Sequence, residues 1–215
     1  MTAPLQRVRY LPWLRQRGSA LVLTMATMLV LMLVGVAAMR TAINAEKSAR
    51  GERDHLLALQ AAEAALLDAE RDIDGAAGAT SPRAALFAPG GGALFAEGCG
   101  SGVGNPGLGL CAPALPPAAP AWQRVQLDQD GAGEARFVEY GRFTAAAMPV
   151  GAGMLPARLP RYIIEQIPYV RAGVDASSQA ALFYRITAIG FGANPNHCVV
   201  LQSYYLKPVG AGERA

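Results

Sequence analysis

Asp128-Gln-Asp130-Gly-Ala132-Gly133, with Glu139 beyond it, fills the first, third, sixth and twelfth positions of a calcium-loop template. Ala132 stands where the fifth position should supply an oxygen. Asp128, Asp130 and Glu139 are therefore a weak calcium candidate, and the same Asp and Gly residues serve as a hairpin turn between strands. Gly102-Val-Gly104-Asn-Pro-Gly107 has the glycine spacing of a phosphate-binding turn, but it follows no strand, opens no helix and is interrupted by Pro106. Cys99, Cys111, His197 and Cys198 are conceivable zinc ligands without the close paired spacing that makes such sites recognisable. The two histidines, His55 on a helix and His197 in a turn, form no convincing nucleophile–base pair, so no enzyme, no cofactor and no metal centre is indicated.

The cysteines read better as structure. Cys99 and Cys111 bracket a Gly-rich loop and look like a disulfide pair; closing about a dozen residues would contribute roughly 3 kcal/mol. Cys198 opens the apolar run Cys198–Tyr205 and reads as a buried thiol, with pairing to either of the other two left open. A disulfide favours an oxidising compartment for everything after residue 40.

The elements that position these groups begin with charge. The 215 residues carry 19 Lys+Arg and 16 Asp+Glu. Four of the arginines (Arg7, Arg9, Arg15, Arg17) lie in residues 1–18, which hold no acid, so the remainder is close to neutral. A nucleic-acid partner, which requires a basic face, is not expected. From Ser19 to Met39 the chain is apolar and uncharged, and 21 helical residues cover about 30 Å, the thickness of a bilayer's hydrocarbon core. A cleaved secretory signal is the bland alternative, but its apolar region runs only about 7–15 residues. Lys and Arg counts on the two flanks tie at four each, so orientation rests on the expected disulfide, with the N-terminal tag cytoplasmic and the body outside.

Residues 40–74 contain no Pro, and Leu56, Leu59, Ala62, Leu66 and Ile73 recur at helical spacings, which predicts one amphipathic continuation with a leucine-rich buried stripe. Glu46, Arg50 and Asp54 follow at i, i+4 and i+8 on the exposed side. The predicted helix spans 19–74, about 84 Å at the helical rise, with Gly35 and Gly51 as weak points and Gly75 with Gly78 as its stop. Residues 75–124 are a Gly/Pro-rich loop region. In 125–215, Arg161–Ile167, Leu182–Ile189 and Cys198–Tyr205 read as strands, with a turn at Gly192–Asn196. Alternation sets Leu182, Tyr184, Ile186 and Ala188 on one face and Phe183, Arg185 and Thr187 on the other. The expected fold class is α+β, a long N-terminal helix packed on a small antiparallel sheet.

Arg17-Gly18 directly before an uncharged apolar helix resembles the type III signal of type IV pilins. Gln60-Ala-Ala-Glu-Ala-Ala-Leu66, Tyr140-Gly-Arg-Phe143, Pro160-Arg-Tyr-Ile-Ile-Glu165, Tyr184-Arg-Ile-Thr-Ala188 and Val199-Val-Leu-Gln-Ser203 resemble the PilX family of minor pilins, with gaps, from Arg17 to Tyr205. The resemblance implies a leader 1–18 removed by prepilin peptidase between Gly18 and Ser19, methylation of the Ser19 amine, and an apolar helix 19–39 retained on the mature protein. It implies an inner-membrane, single-pass protein with a periplasmic head that later joins the pilus tip. Partners would be other minor pilins, the major pilin and a PilY-type adhesin, with a part in twitching motility. Major pilins carry glutamate at the fifth mature position; here it is Leu23, which suits a priming or capping subunit. The competing readings are a minor pseudopilin of a type II secretion system and a single-pass membrane-anchored binding protein with an uncleaved N-terminus.

Overall fold

The computed structural model describes residues 19–75, 83–88, 91–102, 104–129, 135–168 and 181–208. One helix, α1, runs Ser19–Asp74, the span that the residue pattern predicts. The chain divides into two compact units, residues 1–49 and 50–215, so α1 contributes to both.

In the first unit, residues 19–49 of α1 bury nothing. Leu21, Val22, Leu23, Met25, Met28, Leu31 and Met32 stand among the exposed large side chains, on a helix long and apolar enough to cross a membrane. The hydroxyls of Thr24, Thr27 and Thr41 donate to the carbonyls of Leu21, Thr24 and Ala37 in the helix itself. Such bonding satisfies a polar group without water and suits an apolar surrounding.

The second unit holds the rest of α1 and a five-stranded sheet: β1 Leu110–Cys111, β2 Val138–Glu139, β3 Arg161–Ile167, β4 Ala181–Phe191 and β5 Cys198–Pro208, with a four-residue helix α2 at Ala121–Arg124. The sheet order is β1-β3-β4-β5, and β2 shares the outer edge of β3 with β1. β3, β4 and β5 pair antiparallel, as does β2 on β3. The sheet is nonetheless mixed, because β1 runs parallel to β3, Leu110 opposite Ile164 and Cys111 opposite Glu165. The strands inside 125–215 are antiparallel as expected, and what differs is β1, which joins the sheet from the Gly/Pro-rich region expected to be loop. A two-residue strand inside a Gly/Pro-rich loop has no periodicity to reveal it.

The stripe that α1 buries is also different from the expected one. Ala58, Ala61, Ala62, Ala65, Asp68, Ala69, Asp72 and Ile73 are buried, whereas Leu56 and Leu67 are about half exposed and Leu59 and Leu66 are intermediate. Small size governs this face. A Cβ at Gly190 of β4 would lie 2.1 Å from the Ala58 carbonyl oxygen and 2.3 Å from the Ala62 nitrogen, so strand and helix backbones touch there. Leucines on this face would hold them apart. Leu182, Tyr184, Ile186 and Ala188 are buried with the alanines, together with Phe87, Phe95, Leu108 and Leu110 from the Gly/Pro-rich region. Phe183 and Arg185, on the opposite face, are half-buried, and Thr187 there is buried.

α1 ends at Gly75, whose φ of +76° takes the left-handed conformation typical of a helix C-cap; Gly78 lies outside the described residues. The last turn is tied to β5. The Lys207 ammonium donates to the Ile73 carbonyl, and the Tyr205 hydroxyl lies 2.7 Å from both oxygens of Asp74. About five turns earlier, Asp54 accepts from the amides of Ala193 and Asn194 in the β4–β5 turn, the latter at 3.2 Å. Residues 54–74 are thus fastened to the β4–β5 hairpin at both ends and in close contact with it at Gly190.

Candidate functional site

Two regions could do work: the exposed apolar side of residues 19–39, and the head, whose buried charges tie its loops to α1 and the sheet. On the first, Ser19 is the first residue of α1, and Gly18 lies outside the described residues together with the rest of 1–18. Leu23 is 67% exposed, and the span from Ser19 to Met39 carries no acid. In lipid or among other apolar helices this surface needs no polar partner from its own chain.

The head is organised round ions that the sequence did not mark. Asp68, fully buried, accepts from the Gly141 amide at 2.8 Å and from the Thr144 hydroxyl. One turn on, Asp72 accepts from the Tyr162 hydroxyl at 3.1 Å and faces the Arg83 guanidinium at 3.2 Å, both ion-pair partners being almost wholly buried. Arg83 also donates to the Leu108 carbonyl at 2.8 Å and stacks on Phe143, 3.9 Å from its ring centre. Burial pushes the Asp72 carboxyl up to about 6, opposed by Arg83 and by the Tyr162 hydrogen bond. Burial likewise lowers Arg83, against the pull of Asp72, and raises Tyr162 well above the ordinary tyrosine range. Each partner keeps the other charged in a place that favours neither charge.

A second pair lies across the sheet. Glu165, buried in β3, stands opposite Arg185 of β4, with Arg185 Nε to Glu165 Oε2 at 2.8 Å; its other oxygen accepts from the Ala121 amide at 2.9 Å, fixing α2. That hydrogen bond raises Arg185 above its usual value. Arg161 donates to the carbonyls of Leu127 and Gln129, at 3.0 and 3.1 Å, and lies 4.4 Å from the centre of the Phe137 ring. These ionic groups anchor loops.

The structure distributes the remaining candidates as follows. Cys99 and Cys111 are joined by a disulfide, which removes both from any zinc set. Cys198 is a free thiol and is exposed, which corrects the buried reading: β5 alternates, and Cys198, Val200, Gln202, Tyr204 and Leu206 occupy its exposed side. Asp128 is exposed and Asp130 lies outside the described residues. Glu139 sits on β2 with its carboxylate 3.7 Å from Arg161, a cation already in place. Among the described residues no group of three or more His, Cys, Asp or Glu is placed to hold a metal ion. Gly102, Gly104 and Gly107 line no phosphate cradle at a helix start; the Gly107 amide is taken by the Asn105 side chain.

Arg83, Asp68, Asp72, Tyr162 and Glu165 are what sequence reasoning missed. The available signal was the pair Asp68 and Asp72, four residues apart on the same helical face as Ala61, Ala65 and Ala69. Charges inside a small-residue stripe that lies buried must have partners.

Residues 17–67 match the family model for the PilX N-terminal region, and residues 107–207 match the one described as type IV pilus assembly protein PilX, C-terminal. The first takes in the apolar helix and most of the alanine face; the second takes in all five strands. No curated protein and no solved structure matches the chain.

Proposed function

The chain belongs to the PilX family of type IV pilus assembly proteins, and on that premise we propose that this minor pilin starts filament growth from the tip. It would do so together with other minor pilins and a PilY-type adhesin. The observation that carries the reading is the exposed, acid-free surface of residues 19–39, with Leu23 at the place where a repeating subunit would carry glutamate. A carboxylate inside a helical bundle is tolerated only beside a compensating cation. In a repeating subunit that cation is a neighbour's N-terminal amine. A subunit at the end of the fibre lacks one such neighbour, and leucine there removes the need.

Before assembly the apolar helix would sit in the inner membrane, with leader 1–18 on the cytoplasmic side and the head in the periplasm. Prepilin peptidase would cut between Gly18 and Ser19 and methylate the new amine. The Cys99–Cys111 disulfide supports an oxidising compartment for the head. Burial of 19–39 would pass from lipid to neighbouring pilin helices, with little net change in apolar area and packing as the gain. The clamps at Asp54 and Asp74 and the contact at Gly190 would carry load from that helix into the sheet.

Immunogold labelling of an epitope in the head tests the reading. Label confined to filament ends is expected, with loss of piliation and twitching on deletion; label spread along the filaments rejects the tip role. Mass spectrometry of the mature protein should find N-methylated Ser19 as its first residue, and an intact Met1 region would reject the processing step.

A further inference from the structure

The chain has two histidines, and folding brings them together. The rings of His55 on α1 and His197 in the β4–β5 turn lie with centroids 6.1 Å apart, across 142 positions of sequence. Two imidazoles that share one ion each hold their ring centre about 3.2 Å from it, given a metal–nitrogen bond of about 2.0–2.1 Å, so their centroids fall about 5.2 Å apart at a tetrahedral angle and at most about 6.4 Å apart. The observed separation exceeds the tetrahedral value by about 0.9 Å, a gap that a small rotation of two accessible rings closes. Behind His197, Asp54 Oδ2 lies 3.2 Å from Nδ1. A carboxylate there holds the proton on Nδ1 and leaves Nε2 as a free lone pair, the arrangement that orients histidine ligands in metal sites. Asp54 is itself fixed, because its other oxygen accepts the Ala193 and Asn194 amides. Both rings are accessible: His55 is exposed and the His197 side chain is 41% exposed.

We propose that His55 and His197 bind one divalent transition-metal ion of the zinc or nickel class, with water completing its coordination and Asp54 positioning the His197 ring. Imidazole suits these ions and not calcium or magnesium. Arg50 and Arg53 line the groove beside Asp54 and His197 and disfavour a cation held there by charge alone, which favours ions that gain from nitrogen ligation. The bound ion would staple α1 to the β4–β5 turn at the point where Asp54 already fastens them.

The test uses the untagged full-length chain in detergent, titrated calorimetrically with zinc and separately with nickel and calcium. One zinc or nickel per chain is expected, with no response to calcium. Either His55→Ala or His197→Ala should weaken binding at least tenfold, and Asp54→Asn should weaken it tenfold or more with both histidines present. Zinc should raise the thermal midpoint of the wild-type chain and leave that of His55→Ala unchanged. Cys198→Ser distinguishes the neighbouring thiol. Binding lost with that variant but retained in His55→Ala overturns the site, as does a titration with no zinc or nickel uptake by the wild-type chain.

Discussion

Residues 19–49 of α1 leave every side chain exposed although Leu, Val and Met dominate their first 21 positions, whereas residues 50–74 bury five alanines and two aspartates while Leu56 and Leu67 stay outside. One helix thus carries two kinds of contact surface. In the first stretch, apolarity states which medium the helix needs, lipid or other apolar helices. In the second, side-chain size sets how near a partner can come, and the partner is a strand whose Gly190 meets the helix backbone. Burying charge on that second face is feasible because the loops and β3 deliver a ligand to each acid: Gly141 and Thr144 to Asp68, Arg83 and Tyr162 to Asp72.

The largest way to break this contrast is to strand a buried charge on the second stretch. Arg83→Met should cost about 3–5 kcal/mol, the usual loss when one member of a buried pair is removed. The loss, read from urea unfolding followed by tryptophan fluorescence, should be smaller at pH 5 than at pH 7.5, because Asp72 without its cation is neutralised by protonation. Adding Asp72→Asn to Arg83→Met should return part of the stability. No recovery in the double variant relative to Arg83→Met would mean that the arginine acts through its stacking on Phe143 and its bond to the Leu108 carbonyl, and not through Asp72.

Gly190→Ala and Gly35→Ala sharpen the comparison as a pair. At Gly190 a methyl meets main-chain atoms that cannot rotate away, and overpacking at backbone distance should cost about 3 kcal/mol or more. At Gly35 nothing lies within 4 Å of the added carbon, so thermal unfolding of the chain should not fall. Equal effects from the two substitutions would contradict the view that close backbone approach belongs to the second stretch.

Much of the frame is legible in sequence for a physical reason. α1 matches its predicted limits because an uncharged run followed by a Pro-free, Ala-rich segment has only one regular structure open to it. β3 and β4 announce themselves through β-branched and aromatic alternation. The alanine face does not, since periodicity analysis weights leucines and is silent on size. β1 and β2, two residues each, are set by tertiary pairing alone. Cys198 is exposed against expectation for a related reason: apolar residues on both faces of β5 conceal which face the core takes. The ion pairs depend on loop positions and strand register; Glu165 and Arg185 become partners only once β3 and β4 are aligned.

One of the two acids that α1 buries also gives the head a pH dependence. Asp72 has a folded-state pKa of about 6 against an ordinary 3.8. A raised value means that the folded chain binds the proton more tightly than the unfolded one. The contribution is therefore fully present below about pH 4 and lost as pH rises through 6, an effect of roughly 2–3 kcal/mol. Comparing wild-type and Asp72→Asn unfolding from pH 4 to 7.5 isolates it. The stability of wild type relative to the variant should decline over that range, and a flat difference would show that Arg83 compensates the carboxylate fully.

The smallest expected effect lies at Gly51, in the second unit but at a point of α1 where an added side chain has room. A Cβ there meets nothing within 4 Å, and the residue lies inside a continuous helix. Gly51→Ala should raise stability by up to about 1 kcal/mol, through the lower backbone entropy of alanine in the unfolded chain. The gain would appear as a shift of a few degrees at most in thermal unfolding. A loss instead would mean that helix bending at Gly51, and not packing, is what the glycine provides. The position would then separate the part of α1 that leaves its surface to others from the part that its own head covers.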